Sequence, residues 1–240
     1  MKLPHLLLLL LIALPLASAR GEAEDANVDP WEPMNRRIFA FNETLDKYAL
    51  RPAAQGYRFV MPDPAERSVS SFISNIYEFN SFYNSILQAR PGNALVSGGR
   101  FLINSTFGLF GLFDVATPMG IEHSPADFGQ TLATWGFEQG PYLMFPVFGP
   151  KTVRSGVGYV VDTYTSIPAL IDEPELAYAF WTVEAIDIRA NLIKADELIF
   201  GDRYIFIRNA YLQKRAAFLN GGVIEDTFSD YGDETDYEEF

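Results

Sequence analysis

The chain has 240 residues, and its 31 acidic side chains against 18 basic ones give a formal net charge of −13. It contains no cysteine, which excludes disulfides, thiolate nucleophiles and zinc–thiolate sites, and an acidic chain without a basic stripe is a poor match to nucleic acid. Aromatic residues reach 15%, with phenylalanine alone at 20. Such side chains fill cores and also collect where protein meets lipid headgroups, and composition does not choose between the two.

The N-terminus reads as an export signal over residues 1–19. Lys2 supplies a positive charge, residues 6–12 form an apolar run too short to span a bilayer, and Ala17-Ser18-Ala19 gives the small-x-small pattern of a cleavage site. A linker over 20–28 follows, then one domain over 29–222, long enough for a sizeable core. Residues 223–240 form an acidic tail in which no lysine or arginine offsets the carboxylates, so it is expected to be solvated and disordered.

Within the domain the punctuation is helical. Met34, Ile38, Phe41, Leu45 and Tyr48 recur at helical spacing, with Asp29-Pro30 as the expected start and Arg51-Pro52 as the expected stop. A second helix starts at Asp63-Pro64, carries Val69, Phe72, Ile73 and Ile76 on one face, has an expected weak point at Glu78-Phe79, and runs to Arg90 before Pro91-Gly92. The stretch 101–113 lacks charge and holds Gly108 and Gly111 between bulky apolar pairs. A buried turn and a segment dipping into a bilayer both suit it. Residues 135–150 interleave Gly136, Gly140-Pro141, Pro146 and Gly149-Pro150 with apolar side chains, which predicts an oily loop or short hairpin. After Pro174 a long helix leads to an expected break at Phe200-Gly201, and a last helix from about Asp202 ends near Asn220.

Catalytic chemistry is sparse. His123 is the single histidine after the signal and sits in a loop without a nucleophile motif, so it reads as a surface or capping residue. No Gly-x-Ser-x-Gly elbow, phosphate loop or calcium-loop spacing occurs in the domain, and the carboxylates Asp162 and Glu184 cannot be placed without a fold. The expectation is a protein that is no enzyme and has no metal or cofactor.

A set of short motifs carries a family resemblance. Asp29-Pro30-Trp31-Glu32-Pro33-Met34-Asn35-Arg36, Phe39-Ala40-Phe41-Asn42 and Arg51-Pro52 open it. Phe72-Ile73-Ser74-Asn75, Arg100-Phe101-Leu102-Ile103-Asn104-Ser105, Gly111-Leu112-Phe113-Asp114 and Asp127-Phe128-Gly129-Gln130-Thr131-Leu132 continue it. Gly140-Pro141-Tyr142, Arg189-Ala190 and Tyr211-Leu212-Gln213-Lys214-Arg215 complete it. In this order they resemble the MlaA (VacJ) family across essentially the whole domain.

The resemblance implies an all-α protein, a ring-like bundle of amphipathic helices around an amphipathic channel, embedded in the inner leaflet of the Gram-negative outer membrane. It implies removal of mislocalised phospholipid from the outer leaflet, delivery to a periplasmic lipid carrier of the MlaC type, and a position beside trimeric porin. An alternative is a structural porin-associated envelope module without a transport role. By motif position, Asn35, Phe41, Asn42 and Leu143 are expected at the lipid channel or its gate, and Gly136, Gly140, Pro141 and Gly149 in a hinging loop. Ordinary roles stay open beside these, with Phe41 as a core anchor and Asn42 as a helix-face hydrogen bonder. Family members are typically lipoproteins with a lipobox cysteine where this chain has Ala17-Ser18-Ala19, so attachment here is expected to come from buried apolar surface and from a porin partner.

Overall fold

The computed structural model describes residues 28–219; the expected signal, most of the linker and the acidic tail lie outside the described residues. Helices α1 (Glu32–Leu45), α2 (Arg51–Val60), α3 (Asp63–Leu87), α4 (Pro91–Phe107), α5 (Phe128–Thr134), α6 (Val153–Thr165), α7 (Pro174–Leu192) and α8 (Arg203–Leu219) make up the domain. One antiparallel hairpin, β1 (Tyr142–Phe145) and β2 (Gly149–Thr152), interrupts them, paired from Tyr142↔Thr152 to Phe145↔Gly149. The helical class follows from the sequence periodicity, and the oily segment forms the expected hairpin.

Several boundaries differ from the sequence expectation. Asp29 does not cap α1: Trp31 occupies that position and Pro33 lies in the first turn, while Asp29 turns inward and is buried. Arg51-Pro52 does not stop the first helix. A π-helical turn, Asp46–Leu50, connects α1 to α2, and the Arg51 N–H bonds back to the Asp46 carbonyl. Proline lacks an amide hydrogen and its ring crowds the preceding turn, and this wider turn carries the helical run past it. Arg189 locks that turn from α7, with Nε 2.6 Å from Asp46 Oδ1 and Nη2 2.6 Å from Asp196 Oδ2.

α3 continues unbroken through Glu78-Phe79. It ends at Leu87, where Ala89 takes a positive φ of 54°, and Pro91 then starts α4, because proline suits a first turn whose N–H groups lack helical partners. α7 ends at Leu192, before the expected break, and a 3₁₀ turn, Ile193–Leu198, precedes Gly201. α5 and α6 cross where Gly129 meets Gly158, and a Cβ on Gly158 would strike the Gly129 backbone.

The compact apolar core is small and lies under the hairpin. Tyr142, Met144 and Tyr204 are buried there, packed by Ile38, Phe39, Tyr211 and Leu212. The Tyr142 and Tyr204 rings meet edge to face at 6.3 Å, an arrangement in which a positive ring edge faces a negative ring face.

Candidate functional site: a polar passage beneath an apolar exterior

The central helical hairpin, α3 with α4, carries its polar side chains inward. On α3 Asn75, Glu78, Ser81 and Ser85 are buried at spacings of three and four, so that they share one face, and Asn80 and Asn84 are buried beside it. On α4 the buried face is Ala94, Ser97, Arg100 and Asn104. Leu95, Leu102 and Phe107 point outward, 77%, 64% and 74% exposed. α1 is reversed in the same way: Asn35 is fully buried, while Met34, Phe41 and Tyr48 of its apolar series lie on the outside. Beyond α4 the chain turns through Leu109, Phe110 and Gly111, all with positive φ, and Leu109, Phe110 and Phe113 are exposed. The buried-turn reading of 101–113 therefore does not hold. Among the described residues, buried polar side chains outnumber buried apolar ones, the opposite of an ordinary water-soluble interior.

Two cavities open along α3. The first, about 210 Å³, is lined by Ser70, Ser71, Ser74, Asn75, Glu78, Arg100, Asn104 and Asp114. The second, about 250 Å³, includes Ser74, Tyr77, Asn80, His123, Asp127 and Asp162 in its lining. Ser74 belongs to both and is itself exposed, so the two adjoin at a solvent-open point.

The passage walls are tied by charge-assisted bonds. Arg100 Nε donates to Glu78 Oε1 at 2.5 Å, its Nη1 to Thr117 Oγ1 and the Ile121 carbonyl, and its Nη2 to Asp114. Asn104 accepts the Val115 and Ala116 amides at 2.9 Å, so α4 holds the loop after the exposed apolar turn. Burial opposes ionisation of Asp114, but donors from Thr117, Arg100 and Asn104 together outweigh it and hold its carboxyl at about 2. His123 lies in a loop with Nδ1 2.7 Å from Glu78 Oε1. Asp162 accepts from Tyr83, Asn84 and the Phe128 amide, and burial raises its carboxyl nonetheless. Glu184 accepts from Tyr77 and is raised by burial as well. Among the described residues no cluster of three or more histidine or carboxylate side chains is placed to hold a metal.

The residues singled out from the sequence fall into two groups. Asn35 and Asn42 both bind the hairpin. Asn35 donates to Asp29 Oδ1 (2.7 Å) and to the Tyr142 carbonyl (3.2 Å), and accepts the Met144 amide (2.9 Å), which satisfies the free edge of β1. Asn42 donates to the Phe145 carbonyl (2.9 Å) and accepts the Val147 amide (2.8 Å), holding the hairpin tip. Phe41 is 54% exposed beside it, and Leu143 is buried at 7%. Gly136, Gly140 and Gly149 all take positive φ, and the Pro141 carbonyl accepts the Val153 amide. None of these lines the two cavities. The cavity residues Glu78 and Asn80 were missed, although polar residues at three- and four-residue spacing along α3 would have marked the face of Glu78, and Asp162 of α6 was named only as a carboxylate without a place.

Comparison with known proteins agrees with this architecture. The MlaA lipoprotein family model matches residues 27–218. The "Intermembrane phospholipid transport system lipoprotein MlaA" of Escherichia coli is 33% identical over 214 residues, covering 87% of this chain and 85% of that protein. Its counterpart of the same name in Haemophilus influenzae is 32% identical over 236 residues, covering 93% and 94%. A solved structure described as "Structural basis for maintenance of bacterial outer membrane lipid asymmetry" superposes with a TM-score of 0.71 at 35% identity, over 80% of this chain and 99% of that one. On sequence and fold together, this chain belongs to the MlaA lipoprotein family.

Proposed function

We propose that this protein moves phospholipid at the outer membrane, serving lipid asymmetry as part of a transport system like that for which its relatives are named. The observation that carries the reading is the reversed polarity, with a polar, cavity-bearing interior under an apolar exterior. A phospholipid needs polar lining for its headgroup and apolar surroundings for its tails. Exposed apolar surface on this scale is costly in water and stable against acyl chains. Among the described residues no helix is long and apolar enough to cross a membrane. The reading is of a helical ring seated in the inner leaflet by its rim, including Leu102, Phe107, Leu109 and Phe110.

In this reading the hairpin is the moving part. Asn42 pins its tip, Phe41 rests beside it in lipid, and Gly136, Gly140 and Gly149 supply the backbone freedom for hinging at Pro141. A trimeric porin neighbour and a periplasmic carrier of the MlaC type complete the proposal, and family membership is what supports them. The protein itself moves lipid without hydrolysing it.

The test is complementation. In a Gram-negative strain lacking its own family member, expression of this chain is expected to restore low phospholipid in the outer leaflet. Membrane-bound protein with outer-leaflet phospholipid still high sinks the proposal, as does fatty-acid release from phospholipid by the purified protein.

A further inference from the structure

The passage presents hydrogen-bond acceptors that have no donors. Asn75 Oδ1, Glu78 Oε2 and Asn80 Oδ1 all lack a partner, on residues that are 3%, 1% and 4% exposed. Their other atoms are committed, which fixes the orientation. Asn75 Nδ2 donates to Ser105 Oγ at 2.9 Å, and Asn80 Nδ2 donates to the Asp162 carbonyl at 3.0 Å. Glu78 Oε1 takes Arg100 Nε and faces His123. A buried acceptor without a donor carries its full desolvation penalty, so Asn75 and Glu78, one turn apart at the first cavity, and Asn80, at the second, mark a place completed by something else.

Charge points the same way. The two linings together hold the carboxylates of Glu78, Asp114, Asp127 and Asp162, of which Asp127 is already paired with Arg215 of α8. Arg100 is the one arginine or lysine among them, and each of its nitrogens is engaged by Glu78, Thr117, Ile121 or Asp114. An anionic group entering here meets carboxylates and carbonyl oxygens, whereas a cationic donor meets partners.

From this we infer that the passage recognises a primary ammonium group, that of an ethanolamine headgroup, with Glu78 as its ionic partner and Asn75 and Asn80 as successive acceptors on either side of Ser74. The inference rests on the lipid-transport reading and adds a headgroup preference to it. A primary ammonium offers N–H donors and a positive charge together. A choline headgroup keeps the charge without any N–H donor, and a glycerol headgroup keeps donors without the charge.

The experiment uses the full chain in detergent, exchanged against vesicles of equimolar phosphatidylethanolamine, its N-methyl and N,N-dimethyl derivatives, phosphatidylcholine and phosphatidylglycerol with identical acyl chains. Retained lipid is quantified by mass spectrometry. The expected ethanolamine-to-choline ratio is on the order of ten, from one charge-assisted hydrogen bond gained or lost, and it falls stepwise as methyl groups are added. Glu78→Gln is expected to bring the ratio near one. The methyl series on the unaltered protein decides the matter without any variant. Equal retention of all headgroups overturns the inference and leaves the transport reading standing, whereas retention of no phospholipid at all overturns both. Free ethanolamine at the same concentration is expected to leave bound lipid in place, and displacement of the lipid by it overturns assignment to a lipid headgroup.

Discussion

Replacing Asn35 by alanine separates the two asparagines that hold the hairpin. Asn35 is fully buried, and its loss strands the Tyr142 carbonyl and the Met144 amide while removing one donor from Asp29. A buried polar group left unpaired costs about 1–3 kcal/mol, so the two stranded backbone groups predict a loss of roughly 2–5 kcal/mol. For a domain of this size that is a fall in Tm of roughly 5–20 °C. Asn42→Ala removes bonds to the Phe145 carbonyl and the Val147 amide at a tip where Val147 is 61% exposed. Water can replace those partners, and the cost is expected at about 1–2 kcal/mol, confined to local opening. Unfolding in detergent reads the first effect and amide exchange reads the second. The expectation is a large Tm loss for Asn35→Ala, and for Asn42→Ala a nearly unchanged Tm with Val147 exchange faster by about tenfold. Equal Tm losses in the two variants, or unaltered Val147 exchange in Asn42→Ala, would refute the separation of anchor from latch.

The remaining predictions concern charge. Arg100→Met leaves the buried Glu78 carboxylate without its guanidinium and is expected to destabilise by about 3–5 kcal/mol, read by denaturant unfolding; a loss below about 1 kcal/mol would show the pair to be solvated. Burial lowers the Lys151 ammonium from 10.5 to about 8. Between those values the unfolded chain holds a proton that the folded chain lacks, so stability rises with pH from about 8 to about 10.5. Lys151→Met should flatten that rise, and an unchanged slope would place its origin elsewhere. Leu143→Lys buries an unpaired ammonium and is expected to cost more than about 3 kcal/mol. Phe41→Lys, at an exposed site, should stay within about 0.5 kcal/mol. Its effect is therefore expected in lipid flow, and a stability loss as large as that of Leu143→Lys would mean that Phe41 packs in a core.

The helices, the oily hairpin and the absence of cysteine chemistry were legible in the sequence because local rules set them: apolar periodicity, proline at first turns, and glycine-proline punctuation. The ordered motifs also carried the family. Which face of each helix turns inward was not legible. Apolar periodicity assigns the greasy face to a core, an inference that assumes water outside. Here Asn35, Glu78 and Arg100 are buried while Phe41, Phe107 and Phe110 are exposed. The pairing of Glu78 with Arg100, Asp127 with Arg215, and Asp46 with Arg189 spans 22 to 143 residues of chain, and no local spacing encodes it. The same holds for the two asparagines, which the motifs flagged but whose grip on a hairpin over 100 residues away exists only once the chain has folded. Local geometry thus determined the elements. Tertiary packing decided their polarity, because a buried charge is tolerated only where a partner from elsewhere in the chain meets it.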